Sequence, residues 1–250
     1  MGLLVAPLAR AENPEPYRLS LALDGALLGS GLALFAGGRV ARSRVGGPDC
    51  FPCDPDGLNR LDRPALGYRS DGARIASDAT RDVVLYGAAG VDLADLLITR
   101  GRLAPSEGAA DMIVLSEVFL FDDGVGNLVK AAVRRPRPDA YRPDQNPGAG
   151  DDPREAQSFY SGHTTTAFSL GTAATITFWR RHPRAKARWV VAGVYLALAS
   201  ATGVLRIAAG QHFPTDVIAG AAAGTVIGSA VPLLHSHGAW VGPATIAWRF

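Results

Sequence analysis

Charge, aromatic side chains and cysteine are all scarce in this chain of 250 residues, and each scarcity narrows the range of functions. Asp, Glu, Lys and Arg make up only 19% of it, and 25 basic against 23 acidic side chains leave a formal charge of +2. So even a balance does not suit the neutralisation of a phosphate backbone, which sets nucleic-acid binding aside. With 48% hydrophobic residues the chain is not disordered. Its 29 glycines and 17 prolines are neither clustered nor periodic, which excludes collagen-like and low-complexity structure. Glycine then reads as a packing residue that lets membrane helices approach closely. There is no strand pattern of note and no internal repeat, while a mean hydropathy of +0.11 lies between soluble and polytopic membrane proteins.

The only cysteines, Cys50 and Cys53, form a C-x-x-C. A zinc site needs further ligands nearby, and the nearest histidine is more than a hundred residues away. A thioredoxin-like site needs a βαβ context that the sequence lacks. A short structural disulfide in an oxidising compartment is the preferred reading, with two unpaired thiols as the alternative. At the N-terminus, a short apolar run followed by Ala9-Arg10-Ala11 has the small-x-small pattern of a signal-peptidase site but no basic region before it. Residues 1–18 are therefore set apart as an N-terminal segment, either a shortened signal or a frayed end, and residues 19–250 as a single helical domain.

Long uncharged stretches are clearest in the second half, at 164–179, 189–205 and 217–234. Each approaches the roughly 20 residues that cross a bilayer. Three weaker candidates are 19–38, broken by Asp24, 83–99, which carries Asp92 and Asp95, and 112–129, which carries Glu117, Asp122 and Asp123. Such acids must face the bundle interior or a wet cavity. The fold class is thus all-α, a bundle of about six transmembrane helices; a soluble bundle with buried core helices is the alternative. The basic loop from Arg180 to Arg188 is of the kind retained in the cytoplasm. With six spans, both chain ends lie on its side, and residues 39–80, 130–161 and 206–214 lie outside, where Cys50 and Cys53 could oxidise.

Three segments on that outer side carry the chemistry. In the first, Lys130 sits on the last turns of an apolar helix, and Pro136 and Pro138 force the chain out of it beside Arg137. Alone this would be an interfacial anchor. In the second, Ser161 is a suitable N-cap, and the free amides of the helix that starts at Gly162-His163 form an anion site. In the third, Pro214 suits the first helical position, so His212 lies just before a helix and Asp216 one turn into it. That spacing lets Asp216 accept the Nδ1 proton of His212 and leaves Nε2 as a nucleophile. Three cations, two histidines, a helix N-terminus and no carboxylate cluster suit an oxyanion, with phosphate the obvious candidate.

Lys130 to Pro138 matches K-x6-R-P, Ser161-Gly162-His163 matches the end of P-S-G-H, and Arg206, His212 and Asp216 match S-R-x5-H-x3-D. Together they resemble the three-part signature of the type 2 phosphatidic acid phosphatase superfamily, which includes lipid phosphatases, soluble bacterial acid phosphatases and vanadium haloperoxidases. Tyr160 stands in place of the motif proline and Leu205 in place of the motif serine. The resemblance implies that His212 attacks phosphorus to form a phosphohistidine, that Asp216 fixes its tautomer, and that His163 protonates the leaving alkoxide and then activates water. Lys130, Arg137, Arg206, the Ser161 hydroxyl and the Gly162 amide would hold the phosphate oxygens, and the reaction would need no metal or other cofactor. A pocket at the outer surface of a bacterial inner membrane, facing the periplasm, favours amphiphiles such as phosphatidic acid, phosphatidylglycerophosphate, undecaprenyl pyrophosphate or a lipid A phosphate. A soluble periplasmic acid phosphatase acting on water-soluble monoesters is the alternative. Residues 49–77 either fold over the site or form a solvated loop.

Overall fold

Each of the six apolar stretches becomes one α-helix. The computed structural model describes residues 17–98 and 105–236, which form α1 (Leu21–Ser43), α2 (Asp71–Ile98), α3 (Pro105–Val133), α4 (Gly162–Arg181), α5 (Ala187–Ala208) and α6 (Pro214–Leu234). Short 3-10 turns interrupt the loops before α2 and α4, and no strand occurs among the described residues. The suspected signal segment falls almost wholly outside the described residues, as do the side chains of Asp92 and Asp95.

Helix α4 is the central post: α2, α3, α5 and α6 all pack against it, and α1 lies along α3. The closest seam joins α4 to α6, where Gly220, Gly224 and Gly228 recur every four residues. A Cβ on any of them would collide with the backbone carbonyls of Ser161, Thr165 and Ser169 in turn. Glycine here does what the composition suggested, bringing two backbones together and locking the start of α4 against the start of α6.

Helices α1, α5 and α6 are long and apolar enough to cross a membrane. The 21 residues of α6 reach about 31 Å, close to the thickness of a bilayer core. Exposed Leu32, Val190, Leu196, Val204, Ile218 and Val226 line the outer faces of these helices, the arrangement lipid favours. The ranking expected from sequence changes in one respect: α4 is not among these three, whereas α1 is. Helix α4 carries seven Ser and Thr residues, and Thr165, Thr175 and Thr177 return their hydroxyls to carbonyls one turn back. Neighbours on four sides relieve it of facing lipid. Helix α1 tolerates Asp24 because that side chain turns inward to His235. Glu117 and Asp122 are buried as well.

Helix α2 begins at Asp71, a dozen residues before the apolar stretch that marked it in the sequence. The Ser70 hydroxyl accepts from Ala73 N at 3.1 Å and starts the helix. This polar extension runs beside the ends of α4 and α5 that carry His163 and Arg206.

Candidate active site

All three signature segments meet at one end of the bundle. Lys130 is on the last turn of α3, Ser161 caps α4, Arg206 is on the last turn of α5, and His212 precedes α6. Backbone bonds stitch the segments together: Ser161 N donates to Asp216 O at 3.1 Å, Ser158 N to Arg135 O at 2.9 Å, and Arg137 N to Glu155 O at 2.7 Å. The turn before His212 depends on Gly210, whose φ of +67° lies in the left-handed region. A Cβ there would also strike Tyr68 O, so only glycine fits.

His212 is 1% exposed. Burial pushes its imidazole well below the ordinary histidine range, reinforced by the positive charges of Arg137, Lys130 and Arg206 and by His163. The ring is therefore neutral at physiological pH. Its surroundings are rich in cations: Lys130, itself buried, donates to the Tyr160 carbonyl and at 3.4 Å to Gln157 O. Arg137 and Arg206 both donate to Gln211 Oε1, at 2.9 and 3.3 Å, and the Nε of each is buried with no hydrogen-bond partner among the described residues. Burial also lowers the Arg137 pKa. Unpaired buried donors around a neutral imidazole suit an incoming anion.

Two side chains depart from the sequence reading. Asp216 was expected to accept the Nδ1 proton of His212, but its Oδ2 stands 3.7 Å from that nitrogen, which has no hydrogen-bond partner among the described residues. The carboxylate is already filled by Phe213 N at 2.9 Å, the Ser158 hydroxyl at 2.5 Å and Arg135. As the third residue of α6 it closes the helix start, and this capping role competes with the histidine. Ser161 caps α4 by position, but its side chain makes no capping bond. It is fully buried and accepts from Thr164 Oγ1 at 2.9 Å. The accessible part of that segment is Gly162-His163, which with Lys130 lines a cavity of about 210 Å³ that also touches Arg42, Arg81, Asn127 and Tyr160.

The polar extension of α2 supplies neighbours that sequence reading missed. His163 Nε2 lies 2.7 Å from Asp78 Oδ1 and 2.8 Å from Arg81 Nη1. Asp78 is also 3.7 Å from Arg206 Nη1, and Ser77 accepts from the same nitrogen at 3.4 Å. A Ser70 cap with Asp78 and Arg81 one turn apart was the available signal, hidden because a stretch this polar reads as loop.

Residues 49–77 are docked onto the site. Asp62, fully buried, accepts from Thr215 N at 3.0 Å, Thr215 Oγ1 at 2.6 Å and Arg135 Nη2 at 2.7 Å. Arg142 donates to Leu66 O and Tyr68 O at 3.1 and 2.8 Å. Cys50 and Cys53 are joined in a disulfide in the same layer, and Cys53 N donates to Ala140 O at 3.0 Å.

Known proteins give the constellation a context. The chain is similar to lipid A 1-phosphatases from Rhizobium etli, 33% identical over 114 residues covering 44% of each chain, and from Rhizobium johnstonii, 33% identical over 109 residues covering 42% of this chain and 40% of that one. A lipid A 1-phosphatase from Porphyromonas gingivalis is 38% identical over 77 residues, 31% of this chain and 16% of its own. The match thus spans less than half the length of these relatives. No solved structure matches the chain. Residues 112–238, just over half of the chain and holding all three signature segments, match the model of the PAP2 superfamily, and the chain belongs to that superfamily.

Proposed function

We propose that the chain is a membrane phosphatase that removes phosphate from a lipid head group through a phosphohistidine at His212. The observation that carries this reading is the buried imidazole of His212 beside Lys130, Arg137 and Arg206, the last two with a buried Nε that has no hydrogen-bond partner among the described residues. In the first step Nε2 bonds to phosphorus while the bond from phosphorus to the ester oxygen breaks. His163 takes up the proton carried by the incoming phosphate monoanion and passes it to the leaving alkoxide. In the second step water attacks phosphorus, gives a proton to His163, and frees both inorganic phosphate and the His212 imidazole. The three cations and the Gly162 amide draw in the non-bridging oxygens, an attraction that grows as charge builds in the transition state. Asp216 acts on His212 through its charge across 3.7 Å, favouring the imidazole tautomer with Nδ1 protonated. The mechanism uses protein groups alone.

Exposed apolar faces on α1, α5 and α6 support a lipid substrate over a water-soluble one. The names of the relatives make a lipid A 1-phosphate the first substrate to test. The basic loop between α4 and α5, at the end of α4 away from the site, and the disulfide beside the site support a periplasmic active site at the bacterial inner membrane. Phosphate release by detergent-solubilised protein, with a chelator present, tests the reading on lipid A 1-phosphate, phosphatidic acid and p-nitrophenyl phosphate. Lipid turnover that disappears in His212→Ala is the expected result. Equal turnover of the soluble ester without detergent would assign the chain to the soluble branch, and unchanged turnover in His212→Ala would remove the mechanism.

A further inference from the structure

A second buried constellation lies in the other half of the bundle, on α1, α3 and the residue after α6. Asp24, Glu117 and His235 each present one ligand atom, and these atoms lie within 4.8 Å of one another. Thirteen residues of α3 separate Glu117 from Lys130, which places the cluster about 20 Å from the phosphate site. His235 Nδ1 lies 3.0 Å from the Val231 carbonyl, which can only accept, so that nitrogen carries a proton. Its Nε2 therefore faces Asp24 Oδ1 at 3.0 Å and Glu117 Oε2 at 3.2 Å. The side chains of His235 and Glu117 are fully buried. Neither oxygen of Glu117 has a hydrogen-bond partner among the described residues.

Hydrogen bonding alone does not satisfy this arrangement. A proton on Nε2 makes His235 an imidazolium shared between Asp24 and Glu117, yet it leaves Glu117 Oε1 without a partner among the described residues and, with both carboxylates ionised, the cluster one negative charge in excess. A divalent cation resolves both problems, because a neutral imidazole and two carboxylates match its charge. Zinc bonds of about 2.0–2.1 Å place tetrahedral ligand atoms about 3.3 Å apart, close to the separations seen at Nε2. The bond from Nδ1 to a carbonyl is the usual outer support of a metal-bound histidine. One nitrogen with two carboxylate oxygens suits zinc better than magnesium, which prefers oxygen and keeps its water.

We propose that Asp24, Glu117 and His235 form a zinc site that clamps the start of α1 and the end of α6 to the middle of α3. The test uses full-length protein with no histidine tag, purified in detergent, with metal content measured after zinc loading and desalting. The expected result is one zinc per chain, lost in Glu117→Gln and Asp24→Asn, with a higher thermal midpoint in zinc-loaded than in zinc-free wild type. Glu117→Gln should keep its lipid-phosphate turnover at 25 °C, which separates failure of this site from failure of the catalytic reading. Wild type without stoichiometric zinc, or Glu117→Gln with zinc unchanged, would overturn the proposal and leave a proton-linked triad. Should either variant fail to fold, cobalt loading of wild type decides: a tetrahedral ligand-field spectrum supports the site and its absence overturns it.

Discussion

Where α3 ends and α4 and α6 begin, three cations, Lys130, Arg137 and Arg206, are gathered around a buried His212. About 20 Å along α3 the proportion is reversed, with Asp24 and Glu117 facing one histidine. Both groups are buried, and both leave polar atoms without hydrogen-bond partners among the described residues: the Nε atoms of Arg137 and Arg206 at one end, the carboxylate of Glu117 at the other. A helical bundle can hide polar groups by pairing them, as Arg181 with Asp111 and Arg135 with Asp62 show. Charge left unmatched in a chain so poor in charge marks a place for a ligand of opposite sign. The comparison teaches that one fold can gather cations around one histidine at one end and carboxylates around another in the opposite half.

Substitutions test how far the two regions differ. The largest effect is expected for His212→Ala, with turnover lower by about a thousandfold or more and vanadate binding largely kept, as phosphate release and vanadate inhibition would show. Arg206→Ala comes next. Loss of a charge-assisted contact worth about 1.5–3 kcal/mol should weaken vanadate binding by about ten- to a hundredfold. Asp78→Asn should lower kcat about tenfold with little change in KM, because Asp78 touches His163 but has no role in drawing in phosphate. Equal losses in kcat and binding would instead give Asp78 a structural part in the cation cluster.

Acid should act on stability through His212. Its imidazole is uncharged in the fold but takes up a proton in the unfolded chain below about pH 6.5, so falling pH favours unfolding by at most about 1.4 kcal/mol per pH unit. The thermal midpoint of wild type should therefore drop more steeply from pH 7 to pH 5 than that of His212→Gln. The smallest effect belongs to the disulfide. Cys50 and Cys53 enclose so short a loop that their joint replacement by serine should cost no more than about 2 kcal/mol, seen as a modest fall in midpoint with turnover retained.

Much of the fold and of the site was legible because local chemistry decided it. The six apolar stretches became six helices, Pro214 opened α6, and the histidines and cations arrived at one end because alternating helices put them there. The rest turned on partners that sequence does not display. The polar start of α2 read as loop, so Asp78 and Arg81 were missed, although Ser70 was a capping signal. Asp216 has the right spacing to reach His212, yet Phe213 N, Ser158 and Arg135 hold its oxygens first. Helix α4 looked like a clear span by its lack of charge, but its hydroxyls suit a post surrounded by protein. Asp24 looked like a flaw in α1 until α6 delivered His235, 211 residues later, to face it.

The most direct measurement is the identity of the residue that carries phosphorus during turnover. Wild type mixed with phosphate-labelled lipid, quenched within one turnover in alkaline detergent and digested for mass spectrometry, should bear the phosphoryl group on His212. With His163 replaced by an alanine both formation and hydrolysis of the intermediate should slow, so label on His212 should appear later and persist longer than in wild type. Phosphate release with no label on His212 under those conditions, or label on another side chain, would contradict the convergence of the three segments on a nucleophilic histidine.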